Sequence, residues 1–312
     1  MILVTGGTGF VGSALVRSLA GTTASVRVVS LREHAARVPN VEYASADLCE
    51  LDVDSAVLDS VDTIIHLAST TIPSTSMADP AFDARSNIEM SLRLLEAARR
   101  RGIRNFLFAS SGGTVYGDPV SVPVRESDPT EPRSPYGIVK LAVEKYVGLY
   151  SRIHGLHGIS LRISNPYGYG QFFGAPIGVI ARLLHHAFEN TTFTVWGDGS
   201  VVRDYFHIDD LLRAFHVTLA DPDVPAGVYN VGAGHGTSLN ELIELVERIT
   251  SRQIKVRYEA AREVDVHTIW LDSSKFRSAT GWKPSIALED GVQSLWQELL
   301  QKPPTKSPPQ ND

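Results

Sequence analysis

Cysteine is nearly missing from this chain: Cys49 is the single one in 312 residues. No internal disulfide can form, and a lone thiol has no zinc-site spacing, so Cys49 reads as a small buried residue. No apolar run approaches the roughly 20 residues that cross a bilayer, so no membrane span is expected. A basic excess is lacking too. Lys and Arg total 29 against 35 Asp and Glu, a formal net charge of -6, whereas a nucleic-acid-binding face normally needs a basic surface. His185, His186 and His207 have no carboxylates at ligand spacing, so no metal is called for. Met1 runs directly into Ile2-Leu3-Val4 with no charged and apolar leader, which makes the cytoplasm the expected compartment.

What remains is the balance of an ordinary folded domain, long enough to bury a large core without staples. Ile2 to Val4, Val26 to Leu31, Thr63 to Leu67, Phe106 to Ala109 and Ile159 to Ile163 read as strands. Phe10 to Leu19, Ile88 to Arg100 and Ile138 to His154 read as helices between them. Buried strands alternating with helices imply an α/β fold with a Rossmann-type, doubly wound parallel sheet. After about residue 170 the texture changes. Gly170 to Pro176 is a loop, Ile177 to Phe188 a helix and Phe193 to Trp196 a strand. Leu239 to Ser251 and Leu288 to Leu300 are further helices. The expected division is a first domain over 1–170, with 203–235 returning to it, and a smaller C-terminal lobe from 171–202 and 236–302. Residues 303–312, PPTKSPPQND, have the composition of a disordered tail.

Thr5-Gly6-Gly7-Thr8-Gly9-Phe10-Val11-Gly12 lies between the first strand and the first helix. Glycines at 6, 9 and 12 suit a tight turn, a close backbone approach to a pyrophosphate and a helix packed hard on the sheet. The helix N-terminus offers N–H groups and a partial positive charge to the phosphates. The first domain is therefore read as dinucleotide-binding, with Gly6, Gly9, Phe10, Val11 and Gly12 facing the ligand. An acidic residue after the second strand would grip the ribose of NAD. Ser30 stands there with Arg32 nearby, a pair that can accept a 2′-phosphate, so both NAD and NADP stay open.

Tyr136 and Lys140 form Y-x-x-x-K, a spacing that puts both side chains on one helix face. A free phenol titrates near 10 and is a poor base at neutral pH. A neighbouring ammonium, with the charge of a nicotinamide, is expected to lower that value and let Tyr136 remove a hydroxyl proton.

The G-x-x-G-x-x-G turn together with Y-x-x-x-K resembles the extended short-chain dehydrogenase/reductases, specifically the NAD-dependent nucleotide-sugar epimerases and dehydratases. The resemblance runs from Ile2 to about Leu300. It implies further cofactor contacts at Asp47, Leu48, Leu67, Ala68 and Asn87, the last at the start of a helix, and a Lys140 bond to the nicotinamide ribose. Ser110-Ser111-Gly112-Gly113-Thr114-Val115-Tyr116-Gly117 is similar to the family's S-S-x-x-x-V-Y-G segment, with glycine at 112 where many members carry Ser or Thr. Ser111 or Thr114 then supplies the second catalytic hydroxyl, or Tyr136 acts alone. Asn165 of L-R-x-x-N-x-Y-G, Arg203 of R-D-Y-x-H, and Arg262 and Asp265 of Arg262-Glu263-Val264-Asp265 resemble the family's substrate contacts. The arginines would meet a diphosphate and Asp265 a ribose hydroxyl; an ion pair of Arg203 with Asp204 or Asp209 is the alternative. Ile269 is expected to bound the sugar pocket.

The resemblance implies a 4-epimerase of a UDP-hexose or UDP-N-acetylhexosamine, working by transient oxidation at C4. An NADPH-dependent reductase of a 4-keto nucleotide sugar is the runner-up. A 4,6-dehydratase fits less well, because Gly113 and Thr114 stand where dehydratases carry an Asp-Glu pair. A non-catalytic scaffold is a fourth reading, against which the intact Tyr136 and Lys140 speak. The two long helices of the first domain resemble those the family pairs in a homodimer.

Overall fold

The computed structural model describes residues 1–31, 37–171, 178–262 and 265–301. Arg32, Glu263, Val264, most of the Gly170 to Pro176 loop and the 303–312 tail lie outside the described residues.

The first half alternates strand and helix: β1 (Ile2–Thr5), α1 (Phe10–Ala20), β2 (Val26–Ser30), β3 (Val41–Ser45), β4 (Thr63–His66), a single turn α2 (Pro73–Ser76), α3 (Pro80–Arg101), β5 (Asn105–Ser111), α4 (Pro135–His154) and β6 (His157–Ile163). Short strands β7 (Asn165–Tyr167), β9 (Val202–Arg203), β10 (Tyr205–His207) and β12 (Thr237–Ser238) follow, β7 pairing with β10 and β9 with β12. Between and after them come α5 (Val179–Glu189), β8 (Thr192–Trp196), α6 (Ile208–Ala220), β11 (Gly227–Val231), α7 (Leu239–Thr250), β13 (Lys255–Glu259), α8 (Ser274–Thr280) and α9 (Leu288–Gln301).

Seven strands make one sheet in the order β3-β2-β1-β4-β5-β6-β11, every pair parallel. Successive residues point to opposite faces. Leu3 therefore packs with Leu94, Leu95 and Val143 of α3 and α4, while Val4 packs with Leu15 and Val16 of α1 and with Leu211 and Phe215 of α6. Burial on both faces is why the strands read as unbroken apolar runs. The chain moves outward from β1 to β2 and β3, then crosses to β4 on the other side. The crevice at the ends of β1 and β4 is thus the topological switch point, where such sheets take their ligands. A third core lies in the second half, where Leu183, Leu184, Phe193, Leu242, Val246, Leu295 and Trp296 are buried together.

Some elements differ from the sequence pattern for identifiable reasons. Helix α3 starts at Pro80, two turns before the expected Ile88, because Asp79 caps it by accepting from Phe82 N at 2.9 Å and Pro80 takes the first helical position. Asn87 therefore lies inside the helix and not at its start. Strand β3 was absent from the pattern because it is an edge strand with no fully buried residue. Helix α6 begins directly on the β10 strand, with His207 as its cap, and leaves no loop to mark it.

Candidate active site

The glycine turn is built as its spacing suggests. Gly6 has φ +67°, and a Cβ there would lie 2.7 Å from Ala68 N. A Cβ on Gly12 would lie 2.1 Å from Gly6 O, so α1 can pack this closely only without a side chain. Gly9 is different: a Cβ there would meet nothing nearer than Gly6 O at 3.6 Å. It leaves open backbone at the start of α1 and supplies no side-chain cap. The first-turn N–H groups of Phe10, Val11 and Gly12 therefore keep their capacity for an anion. These features fit a dinucleotide pyrophosphate.

The neighbouring residues divide into those that face this crevice and those that support it. Leu67 and Ala68 continue β4 under the turn, with Leu67 N donating to Thr5 O and Ala68 N to Thr5 Oγ1 at 3.3 Å. Asp47 caps a short turn by accepting from Cys49 N at 2.8 Å. Leu48 is buried in the core with Leu3 and Val29, so it has only backbone to offer an adenine. Ser30 ends β2 and accepts from Ala46 N. The Asn87 amide accepts from Thr70 N and donates to Thr70 Oγ1 and to Asp83 Oδ1, each at 2.8 to 2.9 Å. It holds the segment after β4 in place.

The acid–base pair sits at the start of α4. Ser134 caps the helix by accepting from Gly137 N at 3.2 Å, and Pro135 takes the first helical position. A Cβ on Gly137 would lie 2.7 Å from Thr114 O, so this glycine lets Tyr136 nest against the Ser111–Thr114 segment. Lys140 is buried, donates to Ala109 O at 2.9 Å, and lies 5.5 Å from the centre of the Tyr136 ring. Burial pulls Lys140 down to about 8, opposed by Asp83 and Glu144. Burial pushes Tyr136 up to about 12, with Asp83 adding to the rise. From the protein groups alone, the cost of a buried phenolate outweighs the ammonium, which is turned to a carbonyl; the nicotinamide charge that the expectation also invoked acts on top of this balance. His66, under the same site, is held neutral by burial, near 3, and bridges Thr5 and Ser91.

Ser111 ends β5 on the cavity wall, and Thr114 Oγ1 is covered with no hydrogen-bond partner. At Gly112 a Cβ would lie 2.4 Å from Leu271 Cδ1. The volume a Ser or Thr would use is thus taken by a buried leucine from the far end of the chain. Below this segment, Arg162 pairs with Glu144, Nη2 to Oε2 at 2.7 Å, and Ser110 donates to the same carboxylate. The pair is buried and locks α4 to β5 and β6.

A cavity of about 550 Å³ runs from Tyr136, Ser111 and Thr114 to a cluster of arginines. Asn165 donates from Nδ2 to Asp204 O at 3.2 Å, beside Arg203. Arg203 donates to Val202 O at 2.9 Å and to His267 O, and no carboxylate among the described residues pairs with it. The alternative ion pairs are absent because Asp204 accepts from Ala233 N and Leu271 N, while Asp209 accepts from the Tyr169 hydroxyl. Burial makes the Arg203 charge costly, lowering its pKa. A second cation, Arg182 on α5, lies 5.3 Å over the Phe193 ring, also with no acidic partner among the described residues. No motif marks Arg182 in the sequence. Arg262 and Asp265 both line the cavity, paired with each other at 2.8 Å, and the guanidinium lies 5.7 Å from the Trp196 ring. Ile269 does not bound this cavity: it is buried with Val115, Val124 and Leu271, and Val266 forms the wall.

A dinucleotide crevice opening onto a half-buried tyrosine and a buried lysine defines a nicotinamide-dependent enzyme. More narrowly, the chain belongs to the NAD dependent epimerase/dehydratase family, whose model matches residues 2–232. It is an NAD-dependent enzyme of the epimerase type. It is 34% identical over 299 residues to the UDP-glucose 4-epimerase of Mycolicibacterium smegmatis, covering 93% of this chain and 95% of that one. The UDP-glucose 4-epimerase of Thermotoga maritima, solved with UDP-glucose, superposes with TM-score 0.89 at 33% identity, covering 96% of this chain and 98% of that one. MoeE5, solved with UDP-glucuronic acid and NAD, superposes with TM-score 0.89 at 30% identity over 96% and 99% of the two chains.

Proposed function

We propose that the protein is a nucleotide-sugar 4-epimerase acting on a UDP-hexose or a close derivative, by transient oxidation at C4. The observation that carries this reading is the polarity of one cavity, with an acid–base pair at one end and, at the other, Arg203 and Arg182 with no acidic partner among the described residues. NAD, when bound, supplies a reversible acceptor for the C4 hydrogen. The glycine turn from Gly6 to Gly12, with Leu67 and Ala68, would hold its pyrophosphate side, and Lys140 its nicotinamide ribose. Ser30, Asp47 and the Leu48 backbone would line the adenosine end, and Asn87 fixes the floor between.

Tyr136 takes the proton of the sugar 4-hydroxyl and later returns it to the same oxygen, after the sugar has presented its opposite face for the return of the C4 hydrogen. Ser111, on the cavity wall, shares that proton, and the covered Thr114 hydroxyl supports it. Arg203, Arg262 and Asn165 grip the diphosphate and Asp265 a ribose hydroxyl. The sugar is left without a charged clamp of its own, free to present its other face. We further propose that the first domain (1–170 with 203–235) carries the cofactor and the smaller lobe (171–202 and 236–302) the nucleotide. β11 pairing within the main sheet supports this division.

A homodimer through α3 and α4 is proposed as well, supported by a row of exposed apolar side chains on α4, Ile138, Tyr146, Leu149 and Ile153. The cytoplasm is the proposed compartment, in keeping with a single unpaired cysteine. The test of the activity is direct. The purified enzyme, given UDP-glucose, UDP-N-acetylglucosamine or UDP-glucuronic acid, is expected to interconvert at least one with its 4-epimer without consuming added cofactor. Stoichiometric consumption of NADPH, or a 4-keto-6-deoxy product, would instead identify a reductase or a dehydratase.

A further inference from the structure

Four carboxylates are buried among the described residues: Asp83, Glu144, Asp204 and Asp210. Three are fully engaged. Glu144 meets Arg162 and Ser110, Asp204 accepts three backbone N–H groups, and Asp210 meets Arg213 and the N–H groups of Ser285 and Ile286. Asp83 differs. Its Oδ1 accepts from the Thr71 hydroxyl and from Asn87 Nδ2, while its Oδ2 has no hydrogen-bond partner, and no cation pairs with it among the described residues. A buried carboxylate with a bare oxygen is expensive, and a fold that keeps one has a use for its charge.

Its surroundings say what the use is. Asp83 lies in the first turns of α3, which packs along α4, the helix that carries Tyr136 and Lys140. Thr71 and Asn87 connect it to the segment after β4, and the next turn, α2, accepts the Tyr136 N–H through Ser76 Oγ at 3.3 Å. We propose that Asp83 is a positioning residue of the active site, the counter-charge that keeps buried Lys140 an ammonium and the anchor that holds the 70–71 segment against the acid–base pair. The inference rests on reading Tyr136 as the acid–base group.

The other groups facing the pair do not replace it. Lys140 is faced by the Ala109 carbonyl and Phe108 from β5, by neutral His66 from β4, and by Glu144 on its own helix, whose charge is already answered by Arg162. The Tyr136 ring is faced by Lys140 and its backbone N–H by Ser76 Oγ, Asp83 acts on it through space, and Arg133, paired with Asp118, lines the same cavity. Asp83 raises both Lys140 and Tyr136. Removing its charge therefore lowers both: the phenol ionises at lower pH, and the ammonium is lost at lower pH. The two titrate as a coupled pair, so the whole active window moves toward acid.

The test is Asp83→Asn, which keeps the size and an acceptor oxygen for Thr71, read in two ways on the NAD-loaded protein. The first is the pH profile of kcat for epimerisation; both limbs are expected to move down by about one pH unit. The second needs no turnover: the 295 nm phenolate titration of the protein minus that of its Tyr136→Phe form, expected to move in the same direction. Thr71→Val removes a hydrogen bond but leaves the charge, and should lower stability without moving either limb. Should the amide variant not fold, Asp83→Ser carries the same prediction. Limbs that stay in place while only the rate falls, or that move upward, overturn the proposal. A chain inactive on every nucleotide sugar whose Tyr136 titration still shifts would keep Asp83 in this role and remove the epimerase reading.

Discussion

The two ends of the cavity are built on opposite principles. At the Tyr136 end the cationic groups are met by protein acceptors, Lys140 by Ala109 O and Arg162 by Glu144, and neutral His66 is held between Thr5 and Ser91. At the other end Arg203 and Arg182 carry charge with no acid to meet it among the described residues. The first end is rigid and insulated, as proton transfer in a fixed geometry requires. The second is left electrostatically incomplete, so that an anion completes it. A fixed grip on the nucleotide with a loose sugar is what an enzyme needs if one sugar must show both faces to the same tyrosine.

The comparison can be broken by exchanging which kinetic constant each end controls. The largest effect is expected from Tyr136→Phe, which should cut kcat by about 10²–10⁴-fold with KM and retained NAD unchanged. Comparable turnover in that variant would remove the acid–base assignment. Arg203→Gln should act on the opposite constant. Loss of a charge-assisted hydrogen bond costs about 1.5–3 kcal/mol, roughly 10- to 150-fold in affinity for UDP by calorimetry. It should leave kcat nearly intact, and the unliganded Tm should not fall, because a costly buried charge has been removed.

The departure at Gly112 gives a smaller and purely structural effect. Gly112→Ser should destabilise the fold by about 1–3 kcal/mol through overpacking against Leu271. Adding Leu271→Ala to the Gly112→Ser variant should cost less stability than the same change costs in the parent chain, which a double-mutant cycle in urea would reveal.

A further effect is confined to acid pH. His66 is neutral when folded, with a value near 3 against an ordinary 6.5. Between those values the unfolded chain binds the extra proton, so stability falls as the pH drops from about 6.5 toward 3 and is unaffected above. Replacing His66 by Asn should flatten that slope in urea titrations even though the variant is less stable at neutral pH.

Much of the first domain was legible because local pattern and global fold agree there. The β1–turn–α1 unit and the Tyr136–Lys140 spacing are short-range features, and the folded chain puts them where the pattern points. What could not be read depends on contacts between distant segments. Leu48 and Ile269 turn into separate cores, and Asn87 is spent on Thr70 and Asp83, none of which spacing can reveal. The raised Tyr136 phenol reflects depth of burial, a property of the packed molecule. Arg182 carries no motif, and the filling of the Gly112 site by Leu271 joins residues far apart in sequence.

The central claim is that the hydrogen taken from C4 returns to C4 within one bound cycle. The most direct measurement supplies UDP-glucose deuterated at C4 to the purified enzyme with no added cofactor and follows the 4-epimer by NMR and mass. The account predicts a 4-epimer that keeps its deuterium in full, formed over many turnovers per bound NAD. Loss of the label to solvent, or a product that accumulates only with stoichiometric reduced cofactor, would contradict it.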